Sequence, residues 1–305
     1  MKKTLLSICL LCASILGYAQ LVEVQKVEKV AIPGNHSVSM ATLSPDGSYA
    51  VVSPISGNGL ATINLANGST KIISHAASPV MVQFSADGSH VIYRESSYDS
   101  AHRRYVALKS YDVKNNRNAT LVQPSRNLQG FSIEGNTAIA VENGRAKAKS
   151  INGTAATANA QRPTLSINRG KLCITKAGNT TELSPLGNRT NSYLWPSLSP
   201  DGKRIAFFGV GCGAFTCDLS GKDVKPLGML RAVCWIDNNV LVGMDDHDNG
   251  VVTTESALVA VSADGSKTQK LTDGDVVAVF PSAGGSKISF TTPTGELYLI
   301  DYKLK

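Results

Sequence analysis

Two loops concentrate the residues that can do chemistry. The first runs from Met244 through Asp245, Asp246, His247, Asp248, Asn249 and Gly250 to Glu255. Asp245, Asp246, Asp248 and Glu255 are candidate oxygen ligands for a hard cation such as Ca2+. The Asp spacing is not that of a helix–loop–helix calcium site, and no bidentate Glu stands in the twelfth place. A solvated acidic loop explains the same residues. The second loop spans Glu95 to Arg104 and offers Tyr98, Asp99, His102, Arg103 and Arg104. Arginines beside a tyrosine can recognise a carboxylate, a phosphate or a sugar. A polar hairpin tip is the plainer account.

Other matches to reactive patterns fail on context. Gly209-Val210-Gly211-Cys212-Gly213-Ala214 fits a dinucleotide fingerprint, but a helix must follow, and Phe215 to Leu219 begins a strand. There is no G-x-S-x-G nucleophile elbow. The five His show no triad spacing. Cys212 and Cys217 flank a hairpin tip in this reading and can bridge across it, whereas Cys173 and Cys234 sit in apolar strand patterns as buried thiols. No C-x-x-C or Cys/His spacing indicates zinc.

The elements that must position these loops are strands. Apolar and polar residues alternate with period two almost throughout, as in Tyr105 to Tyr111 and Glu296 to Ile300. Turn dipeptides such as Asp46-Gly47, Asn67-Gly68, Asp87-Gly88 and Asp201-Gly202 separate them. A phrase recurs: ATLSPDGSYAVV from Ala41, VQFSADGSHVIY from Val82, PSLSPDGKRIAFF from Pro196, with weaker copies from Gln129, Pro163, Ala232 and Ala278. Repetition about every 40 residues marks an array of equal units. Each unit reads as a small-residue strand A, an Asp-Gly turn, an apolar strand B, a loop, an alternating strand C, a Gly turn and a polar strand D. The Asp of each turn serves the turn itself, bonding neighbouring amides while Gly takes the left-handed conformation.

Four-stranded units repeated radially make a β-propeller. The expected fold is therefore all-β, a single propeller. Ser44 to Ser85 is 41 residues, Ser85 to Ser199 is 114 and Ser199 to Ser282 is 83, which gives seven units. The last unit stops after strand C, so a segment near Val24 to Ile32 is expected to supply its fourth strand and close the ring. The phrase Ser199 to Phe207 resembles the repeat of TolB-like, WD-repeat-like propellers. That resemblance spans the mature chain, although only three units match well. It implies six blades as the alternative count, with Ser125 to Asn191 as one expanded blade. It also implies a periplasmic interaction module.

In a propeller the B–C and D–A loops open on one face, the usual ligand side. The D–A loops add Arg126, Tyr193, Trp195 and Arg231 to the candidates, with His75, Asn127 and Arg189 near them. Trp195 and Trp235 can stack a ligand at the channel mouth or wedge between blades.

Composition limits the partner. The chain has 305 residues, 30 Lys and Arg against 23 Asp and Glu, and a net charge of +7. The basic residues are scattered and aromatics are 6%, which is not a nucleic-acid footprint. Lys2 and Lys3, the apolar run Leu5 to Leu16 and Gly17-Tyr18-Ala19 form a signal-peptide pattern cut after Ala19. Residues 1–19 are then the leader and 20–305 the propeller domain. The leader's apolar run is short for a bilayer span, and no small residue precedes Cys9 or Cys12 to suit a lipoprotein. The expected protein is periplasmic or secreted and does not span a membrane. It binds an envelope protein, peptide or glycan, needs no cofactor beyond the Ca2+ option, and has no nucleic-acid role. The alternative is a propeller enzyme of lyase, lactonase or glycosidase type with a channel-mouth site.

Overall fold

A computed structural model of the chain describes residues 20–32, 37–54, 58–77, 80–151 and 162–305. The expected leader, residues 1–19, lies outside them. After the opening strand β1 (Val22–Lys29), β2 (Val38–Leu43), β3 (Tyr49–Pro54), β4 (Asn58–Asn64) and β5 (Thr70–Ala77) form blade 1. Blade 2 is β6 (Val80–Phe84), β7 (His90–Tyr98), β8 (Arg104–Asp112) and β9 (Arg117–Ser125). Blade 3 has β10 (Leu128–Glu134), β11 (Thr137–Glu142) and β12 (Arg145–Ser150), and blade 4 has β13 (Thr164–Asn168), β14 (Lys171–Lys176) and β15 (Asn179–Leu183). Blade 5 is β16 (Tyr193–Leu198), β17 (Arg204–Gly209), β18 (Gly213–Asp218) and β19 (Lys225–Gly228). Blade 6 is β20 (Arg231–Trp235), β21 (Val240–Asp248), β22 (Thr253–Ser262) and β23 (Thr268–Lys270). Blade 7 is β24 (Val279–Gly284), β25 (Lys287–Thr291) and β26 (Leu297–Leu304), completed by β1.

The ring thus has seven antiparallel blades. Among the described residues five have four strands and two have three. The short units between Ser125 and Asn191 are two blades, each lacking a described fourth strand. β1 closes the ring as expected, pairing Val22 with Leu304 and Lys29 with Tyr298.

Blades stack face to face, so a second strand such as β17 is covered on both sides. Ile205, Ala206, Phe207 and Phe208 are consecutive and all buried, the continuous apolar run that two-sided burial requires. Six apolar clusters each join two neighbouring blades. The seam between blades 3 and 4 is polar and close. Ser132 Oγ and Thr164 Oγ1 are 2.5 Å apart there, and a Cβ at Gly130 would sit 2.7 Å from the Leu165 carbonyl.

The Asp-Gly turns behave as read. Ser44 Oγ donates to Asp46 Oδ1 at 2.6 Å, and the Ser48 amide donates to the same oxygen at 3.0 Å. The turn at Ser85 repeats this, and its hydroxyl and amide donors hold the Asp87 carboxyl down at about 2.

Candidate functional site

Antiparallel pairing puts the start of each inner strand level with the tip of its blade's second hairpin. In blade 5, Tyr193 faces Gly209, and Gly209 faces Gly213 across that tip. The face so formed carries the candidate loops.

Its defining feature is a repeated bulge. Near their first residues β6, β16, β20 and β24 each insert one extra residue against the neighbouring strand. The inserted turn holds Met81, Trp195, Ala232 and Phe280 at φ of 55°, 49°, 47° and 52°. A left-handed, bulky non-glycine residue is costly and uncommon. Here the same strain recurs in four blades, and it turns three large apolar side chains outward. Met40 stands four residues before Ser44, as Met81 does before Ser85 and Trp195 before Ser199. It is exposed in the same way, beside a register shift in β2.

Among the described residues, nine of the twelve exposed large apolar side chains lie on this face: Met40, Met81, Tyr98, Trp195, Val210, Met229, Val251, Val252 and Phe280. Trp195 is 48% exposed, with its ring centroid 5.5 Å from that of Phe208 beneath it. Such a concentration on one side marks an interaction surface.

The candidate residues divide. Tyr98, Arg104, Arg126 and Trp195 are on the open face. His102, at φ 56°, is also exposed, in the turn at the tip of the β7–β8 hairpin. Asp99 is spent on that turn: it accepts from the Ala101 and Arg103 amides at 3.0 and 2.9 Å and pairs with Arg103 Nε at 2.7 Å. Tyr193 is a core residue, not a ligand residue. It is 2% exposed, packs edge-on to Phe207, and its hydroxyl accepts the Leu186 amide at 3.2 Å. Trp235 packs among residues of blades 5 and 6 as a wedge.

The acidic loop does not gather its ligands. It is a hairpin in which Asp246 and Asp248 alternate with Asp245 and His247, so the two sets point to opposite faces of the sheet. Arg231 Nη1 takes Asp246 at 3.1 Å and Asp248 at 3.4 Å. A cation sits where the Ca2+ reading would put the metal, and the Asp246 side chain is only 1% exposed. Burial raises the Asp246 carboxyl above its ordinary range; Arg231 opposes this and Asp248 adds to it. Among the described residues no three His, Cys, Asp or Glu side chains are grouped as a metal needs. His102 and the Asp245–Asp248 hairpin belong to blades 2 and 6, separated by two blades on one side and three on the other. They do not form one catalytic centre.

The Cys212–Cys217 bridge is also corrected. All four described cysteines are free. The hairpin tip is Gly209 to Gly213, with Gly211 and Gly213 at positive φ. Cys217 therefore lies four residues down β18 from Gly213, roughly 13 Å along an extended strand. It faces Ile205 inside the core, and burial pushes its thiol up to about 12.

The fold and this face define a seven-bladed β-propeller with an apolar loop rim. No protein-family model matches the sequence, and no curated protein matches it. Among solved structures, the chain is similar to one in a crystal structure of a mitotic checkpoint complex. That match has a TM-score of 0.60 and 11% identity, over 98% of each chain. It is also similar to the β-propeller domain of Myceliophteria thermophila Cps50 (Swd1), with a TM-score of 0.59 and 9% identity, over 92% of this chain and 99% of that one. At such identities the likeness is one of fold.

Proposed function

We propose that the chain is a non-catalytic binding propeller that receives a protein or peptide partner on the B–C and D–A loop face. One observation carries this reading: the strained bulges that present Met81, Trp195 and Phe280 to solvent in register around the ring. Backbone strain that exposes bulky apolar groups is kept where those groups are used. The printed name of one similar structure, a mitotic checkpoint complex, is that of a multi-protein assembly, which accords with a scaffold role. The TolB-like phrase at Ser199 to Phe207 and the leader pattern of residues 1–19 point the same way, to an exported protein whose partner lies in the envelope.

The test is site-specific photocrosslinking in producing cells. A photoreactive residue at Met81, Trp195 or Phe280 is expected to give protein adducts. One at Lys203 or Ser220, in turns of the opposite face, is expected to give none. Equal labelling from both faces, or none from the rim, sinks the reading. N-terminal sequencing that begins at Gln20 would support export.

A further inference from the structure

We propose that Arg94 and Arg104 form a carboxylate receptor at the seam of blades 2 and 3, which takes an acidic side chain of the partner polypeptide. The inference rests on the partner-binding reading of this face and adds the chemistry of the contact.

Strand register brings the two guanidinium groups together. Arg94, Ser96 and Tyr98 share one face of β7, and Arg104 stands opposite Tyr98 on β8. Arg104 Nε reaches back to Ser96 Oγ at 3.0 Å. Arg94 Nη2 donates to the Leu128 carbonyl of β10 at 3.0 Å, and its Nη1 lies 3.1 Å from Met81 Sδ. These contacts aim both side chains at the seam and hold them there. Arg126 stands in the connection from β9 to β10, at the same seam.

No acid answers them. Arg103 pairs with Asp99, Arg204 with Asp223 and Arg231 with Asp246 and Asp248. Among the described residues Arg94 and Arg104 have no carboxylate within 4.0 Å, and Arg94 Nε is buried without a partner. Glu95, next in sequence, is on the other face of β7, tied to Lys109 and to Ser74 Oγ. Burial and the charge of Arg104 both disfavour the protonated form of Arg94. An arriving anion removes that repulsion, and the terminal nitrogens of Arg104 offer it a fork. Met81, against Arg94, joins the site to the apolar rim, so the fitting ligand is a carboxylate flanked by apolar residues. A peptide supplies both.

The probe is a fluorescein-labelled peptide of alternating leucine and glutamate, read by anisotropy beside the same peptide with glutamine for glutamate. The glutamate peptide is expected to bind about tenfold or more tightly than the glutamine one, the usual scale of a charge-assisted pair. Arg104→Gln is expected to abolish that difference. Arg104 is exposed, so an unchanged melt of the variant shows that the fold is kept. Absence of binding, equal binding of the two peptides, or an unchanged preference in Arg104→Gln overturns the proposal. So does inorganic phosphate displacing the peptide at lower concentration than free glutamate does. Trp195→Ser separates the two readings. If it abolishes binding while Arg104→Gln does nothing, the face stands and the receptor falls. If only Arg104→Gln matters, the receptor stands without the rim.

Discussion

The side-chain amide of Gln269 holds Val22 on both sides of its backbone. Oε1 accepts the Val22 amide at 2.9 Å and the Leu21 amide at 2.8 Å, while Nε2 donates to the Val22 carbonyl at 2.7 Å. Gln269 belongs to blade 6 and Val22 to the strand that completes blade 7. One side chain thus fastens the ring closure from the neighbouring blade. Gln269→Ala leaves the Leu21 and Val22 amides and the Val22 carbonyl without this partner and is expected to cost about 1–3 kcal/mol, read by denaturant titration. Deleting residues 21–32 is expected to lower the single melting transition of the whole ring. A separate early transition would mean that β1 only decorates blade 7.

The bulge strain gives a sign test. Ala232 occupies the left-handed position in blade 6 without a large side chain to present. Alanine to glycine ordinarily destabilises a strand. At φ 47° the Cβ clash is relieved, and Ala232→Gly is expected to be neutral or to stabilise by up to about 1 kcal/mol. A clear loss of stability would show that the bulges are unstrained.

Arg231 is the counter-ion of a buried acid. Removing it leaves Asp246 charged and unpaired at neutral pH, because the carboxylate has little access to water. The Asp246 pKa, already raised, then rises further. A raised acid pKa means the native state favours the proton, so the penalty grows as pH climbs above the ordinary carboxylate value and fades below it. Arg231→Ala is expected to lose about 1–2 kcal/mol at pH 7, below the ~3–5 kcal/mol of a fully buried pair, since Arg231 is 41% exposed and screened by water. Melts are expected to show a smaller loss at pH 4, and Arg231→Ala/Asp246→Asn to recover most of it. A loss independent of pH would assign Arg231 a packing role only.

Thiol chemistry separates the four cysteines of the described residues. Burial pushes the Cys217 and Cys234 thiols up to about 12, so almost no thiolate forms at pH 8. Cys173 is buried and also raised. Cys212 is half-exposed beside the β17–β18 tip. In a chain beginning at Gln20, a chromogenic disulfide reagent is expected to find one fast thiol in the native protein, abolished by Cys212→Ser, and four after denaturation. Two fast thiols in the native state would contradict the assigned burial.

The hairpins were legible because one phrase encodes them. Ser44, Asp46 and Gly47 make one turn whose defining hydrogen bonds, Ser44 and Ser48 to Asp46 and the Gly47 amide to the Ser44 carbonyl, are local, so a short phrase suffices to specify it. The closure of blade 7 was legible because an extra strand, near Val24 to Ile32, precedes the first full unit. The rim was not, because a bulge breaks the period of two on which strand reading depends. Trp195 is a D–A loop candidate in the sequence, but the pattern alone does not mark Met81 or Phe280 as facing solvent. The place of Met81 and Trp195 four residues ahead of Ser85 and Ser199, shared by Met40, was the available signal. The burial of Tyr193 is not legible either, because a residue that opens a strand can point to either face. The cysteine bridge failed on register: Gly211 and Gly213, not the Gly-Ala-Phe-Thr between the cysteines, make the bend. Arg94 is not legible in the sequence, because nothing in a strand pattern says which charges will lack a partner.

Pairing Val22 with Leu304 also dictates an order of events. β1 cannot find its neighbour until Leu304 has been made. Until then six blades stand with an open flank on either side, and the contact that completes the ring is of very high sequence separation, the slowest kind to form. Kinetic assays are therefore expected to see the burial around Val22 arrive last.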